Sequence, residues 1–522
     1  MAGQPAKRII GLHLDLKGVQ FRPSYIPQLL YDLASQGVNT LLVEYEDIFP
    51  FRDIDIADDK PRVWSRARLK RFLDGAAERG IDVIPLQQCL GHLEYVLRWQ
   101  RYRGFAEDRA YPGTLCLSSR EGKALIADML RQKIEAHPAS RIVHIGMDEA
   151  QMGRCPKCSK RGALEQLIEY LHEICELVES YGCRPAMWTD MIEDHFQPKV
   201  FEPFRNRVLL MPWDYGARGE RSAVGRIRGH RVSRKWLKDP SHRDAPAIGA
   251  GTKFFEDLPV DVKRAIKPYV ADGMVRTLYQ VDLYTQMGFE VVGATLLRAS
   301  SHGPVLPRYN HIRANNQAWG CAIARNSQRG LVATSWERGT TFCPPNFSID
   351  LTWPAMAGFV EAAGGRARNF FTGVPRRTVD RIIGCLSRCR EDWAIEADIV
   401  AELQRLRPKV KAHVYEWDSL TLMARVLDLH RRADFVLLEV DYFEPNHRPN
   451  AEEWQRRLND QTAMLRELAG LRRQVRAHFA KRYHGRAFEE WIRELFDLRT
   501  RRIREAGKMC RKKMKLAVQR DG

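Results

Sequence analysis

Two adjacent carboxylates, Asp148 and Glu149, directly follow the apolar run at residues 141–147. Neighbouring acids repel each other, which favours a raised pKa on one of them. One protonated and one ionised carboxyl group suits general acid–base catalysis. An isolated Asp-Glu pair more often opens a helix, where acids interact well with the positive end of the helix dipole. The interpretation therefore depends on the residues that surround the pair.

Other apolar runs also end in aromatic and polar residues. One leads into His92, and three more end in tryptophans that lie beside polar side chains: Trp188, Trp213 and Trp336. Indole faces cover the apolar C–H faces of a pyranose, while carboxylates and amides bind its hydroxyls. A single tryptophan of this kind is more often part of the core. Three at separate strand ends, together with the acid pair, predict a sugar pocket.

Eight apolar runs separated by helical patterns would position these residues. The runs are nearly continuous, as in parallel strands that are buried on both faces. They span residues 9–15, 39–44, 82–87, 141–147, 184–189, 207–213, 290–297 and 330–335, with helical patterns at 25–36, 122–137 and 163–181. We predict an α/β fold, a (β/α)8 TIM barrel with its reaction site at the C-terminal strand ends. A doubly wound sheet would give the same local pattern.

Two regions fit the barrel pattern less well. Residues 217–287 are long for one crossover and are interpreted as an elaborated loop and helix, in which 245–253 could form a further strand. From about residue 366 onward the sequence consists of charged helical patterns, and 435–440 could be strand or helix. The spacing of Trp454, Leu458 and Phe479 is helical and predicts buried packing. We therefore predict a catalytic barrel at 1–365 and a basic α-helical C-terminal domain at 366–522.

Composition excludes some classes of protein. The chain has 522 residues, 44% of them hydrophobic, which is typical of a globular protein. It has no apolar run of about 20 residues and no signal-peptide pattern. We therefore expect a cytoplasmic protein with reduced cysteines, and we expect no membrane partner. The net charge of +19 arises partly from residues 501–515. We interpret that run as a solvated helix face and do not expect nucleic acid as the partner.

These motifs together resemble glycoside hydrolase family 20, and within it the hexosaminidase D-like branch. The family hallmark is His-x-Gly-Gly-Asp-Glu, and residues 144–149 read HIGMDE. The segments at 13–18 (HLDLKG), 43–51, 84–97 and 213–215 (WDY) are similar to that branch. The resemblance covers roughly residues 8–365 and leaves out the helical tail.

The resemblance implies a retaining exo-β-N-acetylhexosaminidase acting on terminal GalNAc or GlcNAc β-glycosides. Glu149 would protonate the glycosidic oxygen and later activate water. The acetamido oxygen of the substrate would attack the anomeric carbon and form an oxazolinium ion, while Asp148 held the acetamido N–H. An N-acetylhexosamine-containing glycan would be the partner, and neither a metal nor an organic cofactor would be needed.

The resemblance also implies which residues surround the sugar. The three indoles would wall the acetamido group, Tyr215 would bind its oxygen, and two histidines would orient Asp148. The candidate substrate-binding residues are His92, His144, Trp188, Trp213, Asp214, Tyr215, Trp336 and Glu337.

Three departures from the family pattern affect the backbone before the acid pair or the recognition of the sugar hydroxyls. Met147 replaces the second hallmark glycine, and Glu337 directly follows Trp336 without the residue that many members have between them. The first-strand arginine of many members is missing, with Asp15 or Lys17 near its position. The preference between galactosamine and glucosamine glycosides therefore stays open.

Cys155 and Cys158 have the spacing of half a zinc knuckle. A second pair is not evident nearby, although Cys183 is available. We do not predict a metal, and any zinc here would be structural.

Two other functions stay open at this stage. The barrel could bind amino sugars, or its tail nucleic acid, without turnover. It could also be a barrel glycosidase that uses paired acids differently, in which case the anomeric configuration of the product would help to distinguish an inverting enzyme. The tail could cap the barrel, contact a partner or form a homodimer.

Overall fold

Eight parallel strands form the centre of the molecule. The computed structural model describes residues 7–57, 60–195, 197–222, 234, 238, 254–299, 303–341, 343–391, 399–442 and 449–521. The strands are β1 Ile9–Asp15, β2 Thr40–Glu44, β3 Asp82–Leu86, β4 Ile142–His144, β5 Arg184–Trp188, β6 Leu209–Met211, β7 Val292–Arg298 and β8 Gly330–Ser335. Each falls on one of the eight predicted runs, most of them shortened at one or both ends.

The sheet closes into a barrel. Its hydrogen-bonded order is β7-β8-β1-β2-β3-β4-β5-β6. Parallel bridges from Leu210 to Val291 and from Trp213 to Ala294 then join β6 to β7. The predicted (β/α)8 barrel is therefore confirmed, and the doubly wound alternative is wrong because both edges of the sheet are paired.

Apolar side chains fill the barrel interior as a cluster separate from the larger core. They are Ile9, Leu42, Ile84, Leu86, Ile142, Ala186, Trp188, Leu209, Met211, Val292, Ala294 and Val332. Trp213 and Trp336 pack against this cluster. Trp188 and Trp336 each lie at or just beyond the C-terminal end of a strand, so the indoles lie at the end where barrel enzymes carry out their chemistry.

Helices surround the barrel because each buries one apolar stripe against the strands. They are α1 Ile26–Ser35, α2 Arg66–Ala77, α3 Arg120–Ala136, α4 Ala163–Ser180, α5 Tyr279–Gln286, α6 Tyr309–Arg325 and α7 Trp353–Ala362. Shorter helices lie in the connections, at Glu94–Leu97, Gln100–Arg103, Asp190–Asp194, Pro198–Phe201 and Val260–Ile266. Serine side chains cap two of the starts: Ser65 accepts from the Arg68 N–H, and Ser119 from the Gly122 N–H.

The long connection between β6 and β7 contains more β structure than predicted. Its described residues include a small antiparallel sheet of Arg221–Ser222, Met274–Arg276 and Val270–Ala271. The possible strand at 245–253 lies outside the described residues. The predicted elaboration includes helices, at Val260–Ile266 and Tyr279–Gln286, but also this small sheet, which was not predicted.

The C-terminal region is helical, as predicted. Its helices are α8 Arg376–Glu391, α9 Ile399–Leu406, α10 Val414–Tyr442, α11 Ala451–Phe479 and α12 Arg486–Asp521. Residues 435–440 lie within α10, so the strand alternative is wrong. Trp454, Leu458 and Phe479 are buried, in agreement with the predicted stripe on α11. None of the described helices combines the length and apolar content that a bilayer crossing requires.

The C-terminal helices pack directly on the barrel. Tyr483–His484 pairs antiparallel with Gln20–Phe21, and the Trp491 indole donates to the carbonyl of Pro304 over 2.8 Å. One continuous apolar core contains residues of both regions. The division into two domains at residue 365 stays a prediction.

Candidate active site

A tight turn presents the acid pair at the end of β4. Gly146, Met147 and Glu149 have φ angles of 68°, 74° and 50°. A Cβ on Gly146 would lie 1.9 Å from Oε1 and 3.1 Å from Cα of Gln88, and this crowding together with the positive φ favours glycine there. Met147 keeps the left-handed backbone that the hallmark glycine would favour, and its side chain is completely buried. The turn therefore keeps a conformation suited to glycine despite the substitution.

The loop after β3 lies against the backbone of the pair. A Cβ on Gly91 would lie 1.9 Å from the carbonyl oxygen of Asp148. This close approach lets the next residue, His92, place its Nε2 at 3.3 Å from Oδ2 of Asp148 and at 3.4 Å from Oε2 of Glu149. One imidazole therefore contacts both carboxylates.

The electrostatics of this contact favour a charged histidine. Burial lowers the pKa of His92, but the Asp148 carboxylate and hydrogen bonds to both acids raise it well above its usual value. Asp148 is buried, and its Oδ1 has no hydrogen-bond partner among the described residues. The Glu149 side chain is 49% exposed. The pair thus consists of one enclosed carboxylate and one that solvent and ligands can reach.

A chain of contacts connects the acids to the indoles. Asp190 accepts the Glu149 backbone N–H at 2.7 Å and the Trp213 indole N–H at 3.1 Å. Trp213 stacks on Tyr215 with ring centroids 5.3 Å apart. The Trp336 indole donates to the Tyr215 hydroxyl over 2.7 Å. These residues therefore form one connected group at the C-terminal end of the barrel.

Trp188 also belongs to this aromatic group and is buried beside it. Its ring lies 6.1 Å from that of Trp336 and 4.3 Å from that of His144. Its indole nitrogen is buried and lacks a partner among the described residues. The three predicted indoles and the acid pair are thus brought to one end of the barrel.

Other predicted residues have different surroundings. Burial lowers the pKa of His144 to about 3, and its Nδ1 accepts the Gly146 N–H rather than contacting Asp148. A side-chain oxygen of Asp214 accepts the Gly216 N–H. Glu337 is buried in an ion pair with Arg298 of β7. His92 therefore contacts Asp148 directly, while His144 supports the turn before it.

A charged cluster occupies the ends of β1 and β2. Nζ of Lys17 lies 3.3 Å from Asp15, 3.5 Å from Glu44 and 3.7 Å from Glu46, and it faces the Trp336 ring at 4.8 Å. Burial lowers the pKa of Lys17, but the three carboxylates raise it well above its usual range. A lysine thus supplies a buried cation where the family resemblance led us to look for an arginine.

Glu149 opens onto a cavity of about 520 Å³. His92, Tyr111, Thr114, Gln151 and Thr340 line it with Glu149. The volume is within the range of small-molecule sites. The three indoles are not part of its lining.

Comparison with known proteins supports the resemblance seen in the motifs. Residues 27–232 match the family model for the glycosyl hydrolase family 20 catalytic domain. The chain is 31% identical over 218 residues to Hexosaminidase D of Bos taurus and 29% identical over 234 residues to Hexosaminidase D of Homo sapiens. The matched segment is similar to a family 20 catalytic domain. The hexosaminidase D-like resemblance is thereby confirmed.

The family match covers part of the site and part of each relative. The alignments span 40% and 42% of this chain, and 62% and 47% of the bovine and human proteins. Asp148, Glu149, Trp188 and Trp213 lie inside the segment that matches the family model. Trp336 lies beyond it, and the barrel geometry alone places it with the others.

Solved structures show weaker similarity. The chain is 15% identical to a chitobiase of Flavobacterium johnsoniae, with a TM-score of 0.47 over 89% of this chain and 68% of that one. It is also 15% identical to a β-N-acetylhexosaminidase of Bacteroides fragilis, with a TM-score of 0.44 over 74% and 70% of the two chains.

Two residues that shape the candidate site were not among the sequence candidates. Asp190 positions both the Glu149 backbone and Trp213, and its place two residues after Trp188 could have indicated it. Arg298 holds Glu337 and donates to Ser335 Oγ over 3.0 Å and to the carbonyl of Phe347 over 3.0 Å. Its position at the end of β7 could have indicated Arg298, but its partners lie 37 or more residues away in the sequence.

Proposed function

We propose that this chain is a retaining exo-β-N-acetylhexosaminidase that hydrolyses terminal GalNAc or GlcNAc β-glycosides by substrate-assisted catalysis. One observation carries the proposal: an enclosed and an accessible carboxylate stand side by side at the end of β4, bridged by one imidazole and connected to three indoles. The family 20 match over the same segment supports it.

Glu149 is the proposed general acid and base. Its carboxyl group reaches the cavity, and Asp190 holds its backbone N–H. In the first step it gives its proton to the glycosidic oxygen as the bond to the anomeric carbon breaks. In the second step the resulting carboxylate accepts a proton from the water that opens the oxazolinium ring.

Asp148 is the proposed partner of the substrate acetamido group. Its Oδ1 is a buried acceptor that finds no partner within the described part of the chain, and leaving such a group unsatisfied costs about 1–3 kcal/mol. The acetamido N–H would satisfy it. The negative charge would also stabilise the positive charge that develops as the acetamido oxygen attacks the anomeric carbon.

The aromatic residues are the proposed walls around the acetamido methyl. Trp213 and Trp336 are partly exposed and offer apolar surfaces, while Trp188 is buried against Trp336 and supports it. Trp336 also fixes the position of the Tyr215 hydroxyl through a 2.7 Å hydrogen bond. Tyr215 would then donate to the acetamido oxygen and direct it towards the anomeric carbon. Holding the nucleophile in this way replaces a collision with an intramolecular step.

His92→Gln is expected to move the pH profile of kcat/KM to higher pH by roughly one unit. The substitution removes a positive charge close to both carboxylates, so both are easier to protonate. The acid limb, where Asp148 must be ionised, and the alkaline limb, where Glu149 must be protonated, therefore shift in the same direction. Initial rates across the pH range measure the change.

His172→Gln is the matched control, since His172 contacts Arg207 and Phe204 away from the pair. Its profile should equal that of the unmodified protein. A His92→Gln enzyme that is slower but has an unshifted profile would show that His92 acts only through packing.

Inhibition by a thiazoline mimic of the bicyclic intermediate tests the proposed function. Because the compound resembles a state near the transition state, it should bind at least about 10²-fold more tightly than the aryl substrate. Asp148→Asn should weaken that binding, because the carboxylate no longer stabilises the bound ring. Hydrolysis of aryl N-acetyl-β-hexosaminides that is indifferent to the thiazoline would contradict the mechanism.

A further inference from the structure

Three cysteines and a glutamate converge beside the active-site cavity. Sγ of Cys116 lies 3.4 Å from Sγ of Cys155 and 3.6 Å from Sγ of Cys158. With Glu107 they form a group whose ligand atoms all lie within 4.8 Å of one another. Cys183, which the sequence offered as a third cysteine, instead has its sulfur at 3.4 Å from the Ser140 carbonyl. Glu107 and Cys116, from an earlier loop, therefore join Cys155 and Cys158 to give four candidate ligands.

A small hairpin supplies two of the four residues. Ala106 and Leu115 form an antiparallel bridge, and Glu107 and Cys116 follow these two bridge residues along the chain. The Glu107 N–H donates to the Thr114 carbonyl at 2.8 Å, and the Cys116 N–H donates to the Phe105 carbonyl at 2.8 Å. These bonds fix the separation of the two side chains.

The turn after Glu149 supplies the other two. The backbone N–H of Cys158 donates to Sγ of Cys155 at 3.2 Å, a contact that favours a thiolate. Oε1 of Glu107 accepts the N–H groups of Arg154 and Cys155 at 2.7 and 3.0 Å. The hairpin and the turn are thus already joined through Glu107.

We propose that Cys116, Cys155, Cys158 and Glu107 bind one structural zinc ion. Sulfur ligands at about 2.3 Å from a tetrahedral zinc lie about 3.8 Å from each other. The observed separations of 3.4 and 3.6 Å fit this arrangement and exceed the roughly 2.05 Å of a disulfide. Four protein ligands close the coordination sphere, which is typical of structural sites.

The surroundings suit the charge of such a site. Three thiolates and one carboxylate exceed the charge of a zinc ion by two. The turn carries several cations close in sequence to the ligands: Arg154, Lys157, Lys160 and Arg161.

The zinc would stabilise one wall of the cavity. The Gln151 N–H donates to Thr114 Oγ1 at 3.0 Å, and residues 110–114 of the hairpin line the cavity with Glu149. Binding at the base of the hairpin would therefore stabilise both this wall and the turn that follows Glu149. This consequence rests on the proposed function, whereas the metal site itself does not.

Metal analysis of the full-length protein tests the site. After purification without chelators or metal-affinity resin, and equilibration with zinc followed by desalting, elemental analysis should find about one zinc per chain. Cys116→Ser and Cys158→Ser should each lower the bound zinc several-fold. Cys321→Ser, which changes an exposed cysteine on α6, should leave it unchanged.

Cobalt provides a second readout that needs no substrate. Co²⁺ added to the zinc-free protein should produce an intense thiolate-to-cobalt charge-transfer band, and Cys116→Ser should weaken it. The proposal is overturned if the zinc-equilibrated protein retains no zinc, if two of the three cysteines form a disulfide, or if Cys116→Ser binds zinc as well as the unmodified chain. These results are independent of glycosidase activity, so failure of the metal site and failure of the proposed function are distinguishable.

Discussion

Glu149→Gln is expected to lower kcat for aryl N-acetyl-β-hexosaminides by about 10²–10⁴-fold, because the amide cannot give a proton to the departing oxygen. The loss should be larger for poor leaving groups than for acidic phenols, since an acidic phenol departs with little help from an acid. KM should change much less than kcat. Steady-state kinetics with two aryl substrates of different phenol pKa measure both effects.

The matched control is Glu173→Gln, which alters an exposed glutamate on α4 that is paired with Lys123 at 2.7 Å. Its kinetics should equal those of the unmodified chain. Unchanged activity in Glu149→Gln would rule out the assigned acid. A loss of kcat/KM that is equal for both leaving groups would show that Glu149 does not act by proton donation, because kcat/KM reports only the steps up to departure of the phenol.

Arg482→Met is expected to destabilise the folded protein by about 3–5 kcal/mol, because it leaves buried carboxylates without their cation. Arg482 lies 2.6 Å from Asp350 and 2.5 Å from Glu416, and both acids are almost completely buried. Tyr25 and Tyr483 also donate to Asp350, at 3.0 and 2.6 Å. This network connects the C-terminal helices to the barrel, and denaturant titration measures its loss.

The destabilisation should depend on pH. Burial raises the pKa of Glu416 to about 7 even with Arg482 present, and removal of the cation would raise it further. At low pH the stranded Glu416 can be neutral in the folded state, so the cost should be smaller at pH 5 than at pH 8. The control is Arg52→Met, whose exposed pair with Glu135 at 2.9 Å should contribute no more than about 1 kcal/mol. Equal effects of the two substitutions would contradict the account of the network.

The strands could be predicted because burial on both faces leaves a nearly continuous apolar run. Their ends could not, since the residues just beyond a strand stay apolar while the backbone turns. Ile145 and Met147 follow β4 and are fully buried, yet Gly146 and Met147 already have left-handed φ values. At residues 435–440 the composition is misleading in another way, because β-branched and aromatic residues, which are common in strands, lie within a long helix.

The candidate site could be predicted where its residues lie at the C-terminal end of a strand or within a few residues after it. The acid pair and the three indoles each do so, and the barrel brings these strand ends together. Partnerships between distant polar residues leave no local pattern. Glu337 looked like a sugar ligand because it follows Trp336, but the structure gives it Arg298 as a partner. Cys116 lies 39 residues before Cys155, and only the hairpin brings the two together.

The proposed role of the substrate amide can be tested by one comparison. Aryl β-glycosides with a 2-acetamido group, in galacto and gluco forms, should be assayed beside their 2-hydroxy counterparts. An intramolecular nucleophile has an effective molarity of about 10⁵–10⁸ M, so hydrolysis of the 2-hydroxy compounds should be slower by several orders of magnitude. Comparable rates with and without the acetamido group would contradict the assignment of Asp148 and Glu149 as a pair that works through the substrate's own amide.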